Sequence, residues 1–123
     1  MSGKLLMSGE SIRLLGAGRN DHLTRTIARL YLSSAPALLE AMRDAVKRGN
    51  ARQLSRAAQS LASSSANLGA VRLAALCRQI AELPSNAALQ SVPELLQEID
   101  AATAAVCAIL TERIKGSATE LSA

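Results

Sequence analysis

Residues 50–69 read NARQLSRAAQSLASSSANLG. Asn50 is a good helix cap, and Gln53 three positions later completes a capping box. Leu54, Ala58, Leu61, Ser65 and Leu68 then recur at steps of three and four, and Gly69 follows as a terminator. The stretch is an amphipathic helix with an unusual second face. On a wheel of about 100° per residue, Ser55, Gln59, Ala62, Ser63 and Ala66 fall beside the apolar stripe, where solvent is expected. Exposed faces ordinarily carry Lys, Glu and Arg, which are absent from these positions. So bare a strip admits close approach, either by a neighbouring helix or by a partner. Gln59 is the one long side chain in it.

The same periodicity extends in both directions. Upstream, a helical pattern opens at Asn20 or Asp21, with Leu23, Ile27, Leu30, Ser34, Leu38, Met42 and Ala45 as its apolar stripe. Pro36 interrupts that stripe. Ser33 or Ser34 can cap a second segment holding Pro36 in its first turn, so a kink or short break is expected there. Downstream, Leu73, Leu76, Cys77, Ile80 and Leu83 mark another helix, and PSNAALQ (84–90) reads as a loop. Ser91, Pro93 and Glu94 open a last helix with Leu95, Ile99, Ala102, Val106, Ile109 and Arg113 or Ile114 inward. The expected fold is all-α, an antiparallel four-helix bundle whose N-terminal helical segment is kinked or broken. Residues 20–115 form the bundle, 1–19 a flexible lead or linker, and 116–123 a frayed tail.

Composition agrees with that class. Hydrophobic residues make up 49% of the 123, yet Phe and Trp are absent and Tyr31 is the only aromatic. Ala and Leu, both good helix formers, do the apolar work. A chain without aromatic platforms is poorly suited to stacking single-stranded nucleic acid. The net charge of +4 suits an acidic partner without demanding one. The longest apolar run, AATAAVCAIL (101–110), is about half a membrane span. The stretch MSGKLLMSGE has no signal-peptide pattern, so a soluble, cytoplasmic protein is expected. Cys77 and Cys107 fall on apolar helix faces and read as buried free thiols, with one disulfide as the alternative.

Independent catalysis has little to stand on. His22 is the only histidine, placed at a helix start far along the chain from the bare strip. With one histidine to share, no Ser/His/Asp set or Cys/His metal spacing forms. The GAG triplet at 16–18 follows no strand and does not complete a phosphate-binding loop. Two other classes stay open. Gly69 between two helices, with Arg72 and Arg78 on the second, allows a helix-turn-helix DNA binder. The alanine-rich last helix allows a structural or dimerisation bundle.

Taken together, LYLSSAPALLEAMRDAVKRGN, LSRAAQSLASSSANLGA and RLAALCRQIAEL resemble the histidine-containing phosphotransfer (HPt) domain of bacterial multistep phosphorelays. The resemblance covers about residues 26–83 well, and the last helix fits by position and pattern. The family's active-site pattern is roughly A-H-x-L-K-G/S-S-x-x-x-L-G. Here Ala58, Leu61, Ser64, Leu68 and Gly69 keep it, and Ser63 takes a position where Gly or Ser is usual. Two residues depart: the phosphoryl-accepting histidine falls on Gln59, and the lysine three residues later on Ala62.

The resemblance implies a module that docks response-regulator receiver domains. In the family a neutral imidazole nitrogen attacks an aspartyl phosphate, while the receiver supplies Mg²⁺ and most of the charge stabilisation. No cofactor of the chain's own is then expected. An amide nitrogen has its lone pair delocalised into the carbonyl and is no such nucleophile. The chain is therefore expected not to accept phosphate at position 59 and not to be an enzyme. Gln59 is either an introduced block or a natural divergence, and the missing lysine leans toward the second. The expected receiver contacts are Ser55, Gln59, Ala62, Ser63, Ala66 and Asn67, with Arg52 and Arg56 steering toward an acidic surface. The Gly/Ser-containing lead is compatible with a domain cut from a hybrid sensor kinase.

Overall fold

The helix-forming sequence resolves into four helices and no strand among the residues that the structure, a computed structural model, describes: the backbone of 21–122 and the side chains of 22–115. They are α1 (Asp21–Arg48), α2 (Ala51–Leu68), α3 (Val71–Ala81) and α4 (Val92–Ser122). The lead, the GAG triplet and the expected cap at Asn20 lie outside the described residues.

α1 runs unbroken through Pro36. Proline removes the bond to the carbonyl four residues back, and the exposed ring of Pro36 points away from the core. Buried Tyr31, Ala35, Leu39 and Met42 hold the turns on either side, so packing keeps the helix in one piece. The inward face also differs from the expected stripe. Ala28, Tyr31, Ala35, Leu39, Met42 and Ala45 are buried, whereas Leu23 and Leu30 are 53% and 65% exposed and Ser34 is exposed. Only the Met42 and Ala45 end of the expected stripe is buried. Its N-terminal half is turned by one residue, about 100° on a helical wheel. Tyr31 explains the choice. Its hydroxyl shares a buried hydrogen bond of 2.9 Å with Ser65 on α2, pairing two polar atoms that would be costly alone.

Gly49 closes α1 at φ +67, with its amide on Val46 and the Asn50 amide on the Ala45 carbonyl. Asn50 then caps α2, its Oδ1 accepting from the Gln53 amide at 3.0 Å. Only half of the expected capping box forms, because the Asn50 amide is already given to Ala45. α2 ends in the same manner. Gly69 at φ +86 donates to Ala66, and Ala70 donates to Ser65, a Schellman closure that needs the left-handed backbone glycine adopts freely.

α3 folds straight back along α2. The Ser55 hydroxyl reaches the Ala81 carbonyl at 2.7 Å, near the far end of both helices from the Gly69 turn. Helices crossing at the wide angle of a helix-turn-helix would hold these residues over 20 Å apart at about 1.5 Å rise per residue. The helix-turn-helix reading therefore falls.

Each helix packs against its neighbours in sequence, and α4 returns against α1, so α2 and α4 sit on opposite corners of the bundle. The core between them holds Met42, Leu54, Leu61, Leu68, Leu73, Ile80, Ile99, Val106 and Leu110. In α4 the sequence stripe is met at Ile99, Ala102 and Val106, while Leu96 and Leu110 are core residues it passed over and Arg113 is exposed. Thr103, also buried, returns its hydroxyl to the Ile99 carbonyl at 2.7 Å. The α4 helix continues to Ser122, through the segment expected to fray. Arg43 ties α1 to α4 through Asp100 at 3.1 Å. Cys77 and Cys107 are both free, the first buried and the second half-buried. Burial pushes the Cys107 thiol up, away from the reactive thiolate. No described helix is long and apolar enough to cross a membrane.

Candidate functional site

The bare strip of α2 is divided by the fold. Leu54, Ala58, Leu61, Ser65 and Leu68 are all buried, as their spacing required. Ala62 joins them at 5% exposure, and Ser55 is half-buried with its hydroxyl spent on the last carbonyl of α3. These two do not meet solvent as expected. They lie on the flank of α2 that faces α3, in the most extensive helix–helix contact of the bundle. Small residues there let the two helices approach, and Ser55 satisfies a carbonyl that a helix end leaves without an internal partner.

The other expected residues stay together in the open. Gln59, Ser63, Ala66 and Asn67 are exposed, joined by Ser60 and by Arg52 and Arg56 toward the start of the helix. At about 100° per residue these seven span an arc of about 120°. Its central stretch, from Gln59 to Asn67, contains no charge. Gln59 projects from a surface of Ser and Ala with no intramolecular partner among the described residues. An amide so placed can donate and accept hydrogen bonds to an incoming surface, but it offers no nucleophilic lone pair.

Beside the open arc lies a groove that the sequence did not reveal. Ile27, Leu30, Tyr31 and Ser34 of α1 and Ser64, Asn67 and Leu68 of α2 line a cavity of about 200 Å³. Asn67 belongs to both groove and arc. The signal was present in Leu30, an exposed leucine, but the expected register of α1 had turned it inward.

His22 takes no part in this surface. Tyr31 and Ser65 mark a common level of the antiparallel α1 and α2. From that level His22 is nine residues one way and Gln59 six the other, about 20 Å apart along the axis at 1.5 Å per residue. Among the described residues no cluster of His, Cys, Asp or Glu is arranged to hold a metal ion.

Three comparisons bear on this geometry. The family model described as "Hpt domain" matches residues 26–109. Among solved structures, the chain is similar to histidine-containing phosphotransfer protein B (HptB) from Pseudomonas aeruginosa PAO1. The TM-score is 0.69 at 26% identity, over 74% of this chain and 80% of that one. No curated protein matched.

Proposed function

This chain belongs to the Hpt domain family, the phosphocarrier modules of phosphorelay signalling, which work with response-regulator receivers; from that premise we propose that it docks a receiver without accepting its phosphate. The observation that carries the reading is Gln59, exposed at the centre of the bare face of α2, where the family resemblance puts the acceptor histidine. Phosphoryl acceptance forms a phosphorus–nitrogen bond as the bond from phosphorus to the aspartyl oxygen breaks and the carboxylate leaves. An imidazole supplies the electron pair for that step and an amide does not. Gln59 keeps a polar side chain of similar reach, so docking is retained while transfer is lost.

Gln59, Ser63, Ala66 and Asn67 form the contact face, and Ser60 belongs with them. Ser55 and Ala62 support that face from behind. At Ala62 the chain also lacks the lysine that the family uses near the transferred phosphoryl group. Any Mg²⁺ for the chemistry comes with the receiver, and the chain needs no cofactor of its own. The same docking face suits a free-standing domain and one carried within a hybrid kinase.

The test compares the chain with its Gln59→His form against receivers carrying labelled aspartyl phosphate. Both forms should bind the same receiver within about threefold, and only Gln59→His should take label. If label enters the unaltered chain, Gln59 is not the blocked acceptor position. If neither form binds any receiver, docking through this face is wrong.

A further inference from the structure

Charge is segregated across this bundle. From residue 51 to 81, the whole of the α2–α3 hairpin, there are four arginines and no acid. On α4 up to Lys115 the balance reverses: Glu94, Glu98, Asp100 and Glu112 face only Arg113 and Lys115. α2, with Arg52 and Arg56 and no acid, lies across the diagonal of the molecule from α4, and α3 lies beside α4. The ion pairs of Arg43 and Arg48 lie on α1 and between α1 and α4 and use no residue of α2. Arg52 and Arg56 are exposed on that arc and make no ion pair among the described residues.

We infer that Arg52 and Arg56 act as an electrostatic guide on α2, selecting a folded protein partner whose docking surface is acidic and setting its rate of association. The inference rests on the docking reading above and adds the chemistry of the partner. Guanidinium groups left without acids lose little by meeting carboxylates at a rim, and such contacts act mainly on the encounter rate. The uncharged centre of the arc, Gln59 to Asn67, then supplies close contact with no desolvated charge. A protein surface fits better than nucleic acid. Two arginines bordering a smooth polar strip neutralise few phosphates, and the described surface offers no exposed aromatic ring for stacking.

The test measures association and dissociation rates of the full chain with purified receiver domains ranging from acidic to basic, and with duplex DNA, from low to high salt. Three forms are compared: unaltered, Arg52→Glu with Arg56→Glu, and Lys115→Glu as a control on α4. Both positions are exposed, and glutamate at 52, in the first turn, is favourable, so the double reversal keeps α2 folded, which circular dichroism verifies. Acidic receivers should associate fastest, with a rate that falls as salt rises. The double reversal should cut that rate at low salt by about tenfold or more and flatten its salt dependence, leaving dissociation nearly unchanged. Lys115→Glu should stay within about twofold. If a receiver binds but its rate ignores both salt and the double reversal, guidance is overturned while docking stands. If no receiver binds at any salt, both fall. Tighter binding to DNA with a steep salt slope overturns the guide in favour of a phosphate-reading surface.

Discussion

Ser65 shows how one side chain is tied to the rest of the molecule. It sits fully buried on the inward stripe of α2, in a place suited to an apolar residue, and shares a hydrogen bond with the only aromatic residue of the chain. Removing the Ser65 hydroxyl strips a buried partner from Tyr31, and removing the Tyr31 hydroxyl does the same to Ser65. Each single change, Ser65→Ala or Tyr31→Phe, should cost about 1–2 kcal/mol. The double change should cost less than their sum, because both single changes lose the same bond. A double-mutant cycle by urea denaturation should give a coupling of about 0.5–1.5 kcal/mol. Simple additivity would mean that the bond contributes nothing to the choice of α1 register. Gln59 is the contrasting case. It has no structural duty, so Gln59→His should alter chemistry without altering stability.

At the scale of the element, α1 carries the clearest conflict between local preference and the fold. Proline in a helix interior costs about 3 kcal/mol relative to alanine, although it also restricts the unfolded chain by about 0.4–1 kcal/mol. Pro36 is exposed, so alanine opens no cavity there and restores one backbone bond. Pro36→Ala should therefore stabilise the protein by about 1–3 kcal/mol, read as a higher urea midpoint. A loss of stability would show that α1 is shaped around the proline. α2 and α3 have no such conflict. Their junction is closed by Gly69, and Ser55 reaches the far end of α3, so the hairpin is fastened at both ends. That fastening presents the open arc as the face of a rigid helix rather than of a loop.

At the scale of the whole molecule, stability comes from the shared core and not from surface charge. Leu61 has no exposure and lies inside the ring of four helices, directly behind the open face of α2. Leu61→Ala should cost about 2–5 kcal/mol through lost burial and the cavity left behind. The Arg43–Asp100 pair joins α1 to α4 but is exposed at both partners, 43% and 53%. Its removal by Asp100→Asn should cost less than about 1 kcal/mol. Thermal or urea unfolding of the two variants checks the order. A reversal would mean that the ion pair, and not the core, holds α4 in place. The core also sets up the charge arrangement. Packing puts the acid-free α2 and the acid-rich α4 on opposite corners, so one side of the bundle attracts what the other repels.

The turns at Gly49–Asn50 and at Gly69 and the inward face of α2 were legible in the sequence because each depends on residues within one or two turns. Asn50, Gly49 and Gly69 act on their own neighbouring amides, and Leu54, Leu61 and Leu68 at helical spacing leave one possible inward direction. Gln59, Ser63, Ala66 and Asn67 could be placed in the open for the same reason. Only the tertiary structure decided how far α1 turns about its axis, where alanines compete with leucines for the interior. Hydrophobicity favours Leu23 and Leu30, but the buried positions went to Ala28, Tyr31 and Ala35 because small residues admit close packing and the Tyr31 hydroxyl needs Ser65. Ser55 and Ala62 were decided in the same way. A small residue on the border of a stripe is covered or open according to the helix beside it, and the return of α3 along α2 covers both.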